Sequence, residues 1–361
     1  MIGNIKKIRN IAAVGVAASL VVGVLTLGFS VPVNAQDDLA AETLSALEAV
    51  TDQAGTSATD VLANVADVVT DSSGDTAIEA TVAGVEVIVP TDPSDQISLE
   101  SSTGDVLSIG LPFADKATDA TVVTDGVVAY DNKNLSTTAV VVKQDGSVQI
   151  TVVIEGPTAP TKYPYELNIP SDATVSIGDN GGVTILDADG TFLGGIASAW
   201  AKDATGVSVP THYVLNGSVL TQVVEHTTAR FVYPIVADPW FGIKLIERTA
   251  WYPYFKPWKL QVYPTGWLKA APLLYATLWT RFILSDIRDQ AWKDIKSMTP
   301  GGWNLSPSMR DQFYCHFDFW ALGTVQRYFS DTNPSVDPSW DLEMYRPYVS
   351  YPYLVSQSCN N

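Results

Sequence analysis

The residue types that could do chemistry gather near the C-terminus of this 361-residue chain, around His316. Asp311 and Asp318 flank it in sequence, and Asp341, Glu343 and Arg346 follow further along. A histidine oriented by a carboxylate can act as a general base, and an arginine can hold an anionic group of a substrate. His316, Glu343, Arg346 and Asp318 are therefore the candidate catalytic residues, for a hydrolysis, if the Trp340 segment folds back beside the histidine. Periodicity offers another account. Met309, Phe313, His316, Phe317 and Trp320 are spaced as one apolar stripe of a helix, which explains His316 as a packed side chain without any reaction. No Gly-x-Ser-x-Gly elbow, His-Glu-x-x-His helix, phosphate loop or dinucleotide fingerprint occurs in the sequence. His212 and His226 stand alone on strand-like runs, without metal-ligand spacing around them. Asp187-Ala188-Asp189-Gly190 reads as a hairpin turn, because its glycine comes too early for a calcium loop and the distal glutamate is missing. No cofactor and no metal are expected.

The two cysteines, Cys315 and Cys359, are the other reactive groups. In an exported chain an even count reads first as a disulfide. The bridge would close a loop of 45 residues, contributing roughly 4 kcal/mol in the chain-entropy treatment. The alternative, Cys315 as a nucleophile beside His316, is weaker, because neighbouring helical residues point about 100° apart and a second thiol is present.

These residues must be positioned by a helix from Ser306 to Gly323. Ser306 is a good N-cap, Pro307 suits the first helical position, and Gly323 ends the run. Before it, Leu273 to Met298 reads as a longer helix stopped by Thr299-Pro300-Gly301-Gly302. Two strands, Ile243 to Trp251 and Trp258 to Tyr263, precede that helix. Residues beyond Gly323 read as irregular.

Composition divides the rest of the chain. Residues 36–240 hold 29 acids against 6 Lys and Arg, whereas residues 241–361 hold 10 acids against 12 bases. Of 36 aromatic residues, 26 lie from Trp240 onward, nine of the ten Trp among them. A boundary near Trp240 follows. The acidic part disfavours nucleic-acid binding, which needs clusters of Lys and Arg. At the N-terminus, Lys6, Lys7 and Arg9 precede an uncharged run from Ile11 to Val33 and the small-residue site Val33-Asn34-Ala35. That pattern reads as a cleaved export signal, with an uncleaved membrane anchor as the competing reading. Residues 1–35 are thus the signal peptide and 36–75 a helical or flexible spacer, with a weak helix at Leu39, Leu44 and Leu47 and a second at Val61, Leu62, Val65, Val68 and Val69.

From Thr76 to Ala237 the pattern has period two. Ala83 to Pro90, Val106 to Leu111, Ala120 to Tyr130, Thr138 to Lys143, Val148 to Glu155 and Val183 to Leu186 look like strands, punctuated by turns such as Asp145-Gly146 and Asp189-Gly190. Residues 76–240 are read as an acidic all-β antiparallel sandwich-like module, and residues 241–361 as a small aromatic-rich α+β domain with one disulfide. The chain as a whole is α+β.

Two resemblances accompany this reading. The run from Lys162 to Val224, closed by Tyr233-Pro234-Ile235-Val236-Ala237-Asp238-Pro239-Trp240, resembles the β-rich presenting module of secreted actinobacterial-type proteins, in which a YPV-ADP-like segment precedes a variable domain. Here Ile235 stands where Val is usual. Three stretches, Leu260 to Thr265, Asp311 to His316 and Trp340 to Pro347, resemble signatures of a C-terminal family of unknown function, domain-of-unknown-function family 2599. Asp341 replaces a common Asn and Tyr345 a common Trp, while Glu343 and Arg346 remain. The resemblance implies a fold and an extracellular address, not a reaction. The expectation is a secreted or cell-wall-associated binding or interaction protein, with cell-wall glycan or a protein as partner and no membrane contact after signal removal. The alternative is a secreted hydrolase or toxin-like effector with a His316-centred site.

Overall fold

The computed structural model describes residues 35–52, 59–101, 104, 106–178, 181–228, 230–252, 259–270, 281–299, 305–322 and 339–344. The expected signal at residues 1–34 lies outside them. Among the described residues no helix is long and apolar enough to cross a membrane.

The chain opens with helix α1 (Ala35–Thr51), then runs through β1 (Thr76–Val82), β2 (Val85–Pro90), β3 (Ile97–Ser101), β4 (Val106–Ile109), β5 (Thr121–Thr124), β6 (Val127–Asp131), β7 (Ser136–Val142) and β8 (Val148–Ile154). There follow β9 (Lys162–Asn168), β10 (Thr174–Ile177), β11 (Val183–Leu186), β12 (Phe192–Ile196), β13 (Ala201–Asp203), β14 (Thr211–Asn216), β15 (Val219–Val224), β16 (Ile235–Ala237) and β17 (Trp240–Gly242). The last elements are β18 (Ile246–Tyr252), β19 (Lys259–Pro264), α2 (Gly266–Ala270), α3 (Arg281–Met298), α4 (Pro307–Leu322) and β20 (Trp340–Glu343). This is α+β architecture dominated by antiparallel sheet.

A seven-stranded sheet, ordered β1-β2-β3-β4-β9-β15-β14, faces a ten-stranded sheet, ordered β10-β11-β12-β17-β8-β7-β6-β5 with β13 and β16 attached through β8. Alternation drives the pairing. In β9, Tyr163, Tyr165 and Leu167 point inward and their neighbours outward, as one half-buried sheet face requires. One core joins the sheets, with Val87, Leu99, Ile109, Tyr165 and Leu220 meeting Tyr130, Val140, Ile150, Ile154 and Phe241. The β1–β2 turn is Ala83-Gly84, both at positive φ, so the run expected as one strand from Ala83 begins one turn later.

β7 and β8 are buried along their whole length, which a two-layer sandwich cannot explain. Their second face is covered by α1: Ala46, Leu47 and Val50, with Val61, pack on Val127, Ala139, Val141, Val153 and Val236. The segment expected as a helical or flexible spacer is thus a third layer up to Thr51. The second expected helix does not form. Residues 61–65 make turns, and Val65 bridges to Lys143.

Lys143 explains why. Its ammonium is buried, donates to the carbonyls of Val61 and Ala63, and lies 5.2 Å from the centre of the Trp240 ring. These bonds hold the Val61 and Ala63 carbonyls in the turns observed there.

Candidate functional site

The C-terminal elements are built as spaced residues require. Ser306 Oγ accepts from Met309 N at 3.2 Å and Ser306 O from Arg310 N at 3.2 Å, so α4 starts where a cap at Ser306 and Pro307 places it. Met309, Gln312, Phe313, Cys315 and Phe317 are buried. Phe313 is the hub. Its ring lies 5.8 Å from Trp292 of α3, 6.0 Å from Phe317 and 5.6 Å from Trp340 of β20.

His316 is packed on the same cluster: its imidazole lies within 6° of parallel to the Trp340 ring, with centroids 6.2 Å apart. The Trp340 segment does fold back beside α4, as the site reading needed. Two carboxylates of that reading serve other groups. Asp311 accepts from Arg310 Nε and Nη2, both at 3.2 Å, and Asp341 pairs with Lys259 on the neighbouring strand. That pair holds the Lys259 ammonium above its ordinary range, chiefly through the hydrogen bond to Asp341. Glu343 is held by its backbone: Gln312 Oε1 accepts from Glu343 N at 2.8 Å, and Gln312 Nε2 donates to Glu343 O at 3.1 Å. The side chain of Asp318, and Arg346 and Cys359 altogether, lie outside the described residues.

β18, β19 and β20 form a three-stranded sheet with two distinct faces. Leu260, Val262, Trp340 and Leu342 point into the helices and are buried. Arg248, Tyr252, Lys259, Gln261, Tyr263, Asp341 and Glu343 share the opposite face, since Arg248 pairs with Tyr263, Tyr252 with Lys259, Gln261 with Asp341 and Lys259 with Glu343. On that face the Arg248 guanidinium lies 3.4 Å from the Tyr263 ring centre, the Lys259 ammonium 5.3 Å from Tyr252, and Tyr263 Oη donates to Gln261 Oε1 at 3.3 Å.

The elements that fix this sheet to the β module were not legible as sites. Trp267 of α2 lies against Gly195 and Gly242, where an added methyl would stand 3.0 Å and 2.7 Å from its ring. Its Nε1 donates to Trp240 O at 3.0 Å. Asp145, in the β7–β8 turn, accepts from Ser147 N through Oδ1 and from Trp267 N through Oδ2. The sequence signal was there in the glycines. Gly194-Gly195 and Gly242 interrupt apolar strands, the mark of a close approach.

The other histidines behave as lone residues. His226 is fully buried, with Nδ1 3.0 Å from Tyr233 Oη and Nε2 3.0 Å from Pro160 O, while His212 is exposed on β14. Asp187 Oδ1 accepts from Asp189 N and Thr191 N, the expected turn. Among the described residues no group of three His, Cys, Asp or Glu is placed to hold a metal.

Three relatives match this chain, an uncharacterized protein of Mycobacterium bovis and uncharacterized proteins of two strains of Mycobacterium tuberculosis. Each is 25% identical over 117 residues, 32% of this chain. The chain spans 66% of the length of these relatives. Residues 246–361, beginning at the first residue of β18 and taking in both long helices and the three-stranded sheet, match the family described as Protein of unknown function (DUF2599).

Proposed function

We propose that this is an exported glycan-binding protein of the cell surface, in which the β module holds the C-terminal sheet as a rigid recognition face. The observation that carries this reading is the outward side of β18-β19-β20. Two tyrosines, two basic groups and acidic and amide groups stand there in fixed register, with Arg248 and Lys259 already seated on the rings. Aromatic edges interleaved with hydrogen-bonding groups suit hydroxylated ligands, and a preset arrangement lowers the ordering cost of binding. The charged N-terminal run and the even cysteine count support export and a Cys315–Cys359 bridge tying the tail to α4. Cys315 is fully buried, an environment suited to a structural sulfur.

The test is co-sedimentation of the full chain with purified cell-wall glycan. Arg248→Ala with Tyr263→Ala should lower retention about tenfold while His316→Ala leaves it unchanged. Retention indifferent to the sheet-face variants, or no retention of the full chain, overturns the proposal.

A further inference from the structure

Where the chain crosses from β9 of one sheet to β10 of the other, an open cavity of about 650 Å³ is lined by Gln96, Glu166, Asn168 and Ser218. Its origin lies in the topology. β4 meets β9 through only two residue pairs, Ser108 with Asn168 and Ile109 with Leu167. The chain then leaves at Gly110, whose N–H donates to Glu166 O at 2.8 Å. The turn after β14 closes a second side, with Leu167 N donating to Ser218 O at 2.8 Å. Ile169 and Val175 supply an apolar wall.

Three side chains here have unused polar capacity. Glu166 and Asn168 are on the exposed side of β9, and among the described residues neither they nor Gln96 spend their side-chain groups on a hydrogen bond or ion pair within the protein. Each carboxamide offers an acceptor and two donors, and the carboxylate is acceptor-only when ionised. That set matches hydroxyls and one cationic nitrogen. Among the described residues no Lys or Arg lines the cavity, and the surrounding residues 36–240 carry 29 acids against 6 bases, a field that repels anions. The size falls within the range of small-ligand sites, which combine an apolar wall with a few placed polar groups.

We propose that this cavity binds a protonated amino sugar, with Glu166 taking the ammonium group, Gln96 and Asn168 the hydroxyls, and Ile169 and Val175 the C–H face of the ring. The site lies on the β module and shares no residue with the C-terminal sheet face, so it stands or falls separately from the reading above.

The experiment is a calorimetric titration of the full chain with glucosamine, glucose and glucose 6-phosphate. Glucosamine should bind with a millimolar-range constant and glucose about tenfold more weakly, the difference being one charge-assisted hydrogen bond. Glucose 6-phosphate should not bind. Glu166→Gln should erase the preference for glucosamine, and Gln96→Ala with Asn168→Ala should weaken both sugars. These positions are open to solvent, and an unchanged melting temperature will show that the variants fold. A preference for glucosamine over glucose that survives in Glu166→Gln, or equal binding of all three sugars, overturns the proposal, as does failure of glucosamine to bind.

Discussion

Removing the Trp267 indole tests whether the C-terminal sheet is fixed to the β module or merely follows it in the chain. Trp267 is 3% exposed, fills the gap left by two glycines, and satisfies the Trp240 carbonyl. Trp267→Ala should cost about 3–5 kcal/mol, as large aromatic truncations in cores do. Gly242→Ala alone should cost about 1–3 kcal/mol, since its methyl would meet ring carbons at 2.7–3.0 Å and the ring cannot retreat. In the Trp267→Ala background the same methyl enters vacated space. The two costs must then be far from additive, with Gly242→Ala close to neutral and a coupling of about 1–3 kcal/mol. Denaturant titrations followed by circular dichroism, which does not depend on the deleted fluorophore, supply the four midpoints of the cycle. Additive costs would refute the joint as described, because the glycine and the tryptophan would then not share one space.

Three further outcomes follow. Asp203 receives hydrogen bonds from Thr205 N, Thr205 Oγ1, Val207 N and Val232 N; burial pushes its carboxyl up, but these donors, Val232 first, hold it below the usual range. Its contribution is therefore complete above the unfolded value of about 3.9 and lost as pH falls through the folded value. Asp203→Ala should cost about 2–3 kcal/mol near neutrality and flatten that acid limb in a pH series of thermal melts. For Lys143 the sign is opposite: burial lowers the ammonium to about 8 against the pull of Asp145 and Asp60, so the unfolded chain holds the extra proton and stability rises from about pH 8 toward about 10.4. Lys143→Met should abolish this rise. Gln312→Ala removes both of its hydrogen bonds to the Glu343 backbone and should cost about 1–3 kcal/mol, with amide exchange at Glu343 accelerated.

Period-two runs and the Ser306 cap were readable because neighbours in sequence decide them, and β7, β8 and α4 formed where those signals stood. α1 was readable as a weak helix at Leu39, Leu44 and Leu47, but its docking was not. Its own apolar content is thin, and its stability comes from covering the second face of β7 and β8, a fact of the fold rather than of residues 35–51. Residues 61–69 had helical spacing, yet the buried ammonium of Lys143, distant in sequence, binds the Val61 and Ala63 carbonyls in turns. In the C-terminal region the stripe on α4 foretold the burial of Met309, Phe313 and Phe317. Sequence could not tell that Lys259 would take Asp341 or that Gln312 would bracket Glu343, because strand register decides both. The cavity beside β9 was invisible for the same reason, being lined by residues of β9, β10 and the turn after β14.

The C-terminal sheet is proposed to recognise a ligand, with His316 a packed side chain beside Trp340. Release of reducing ends from purified cell-wall glycan, compared between the full chain and His316→Ala, tests it most directly. Both proteins should be retained on the glycan and release none, with the variant less thermally stable because the stack on Trp340 is gone. Release by the full chain that vanishes in His316→Ala at an unchanged melting temperature would contradict the claim and make the histidine catalytic.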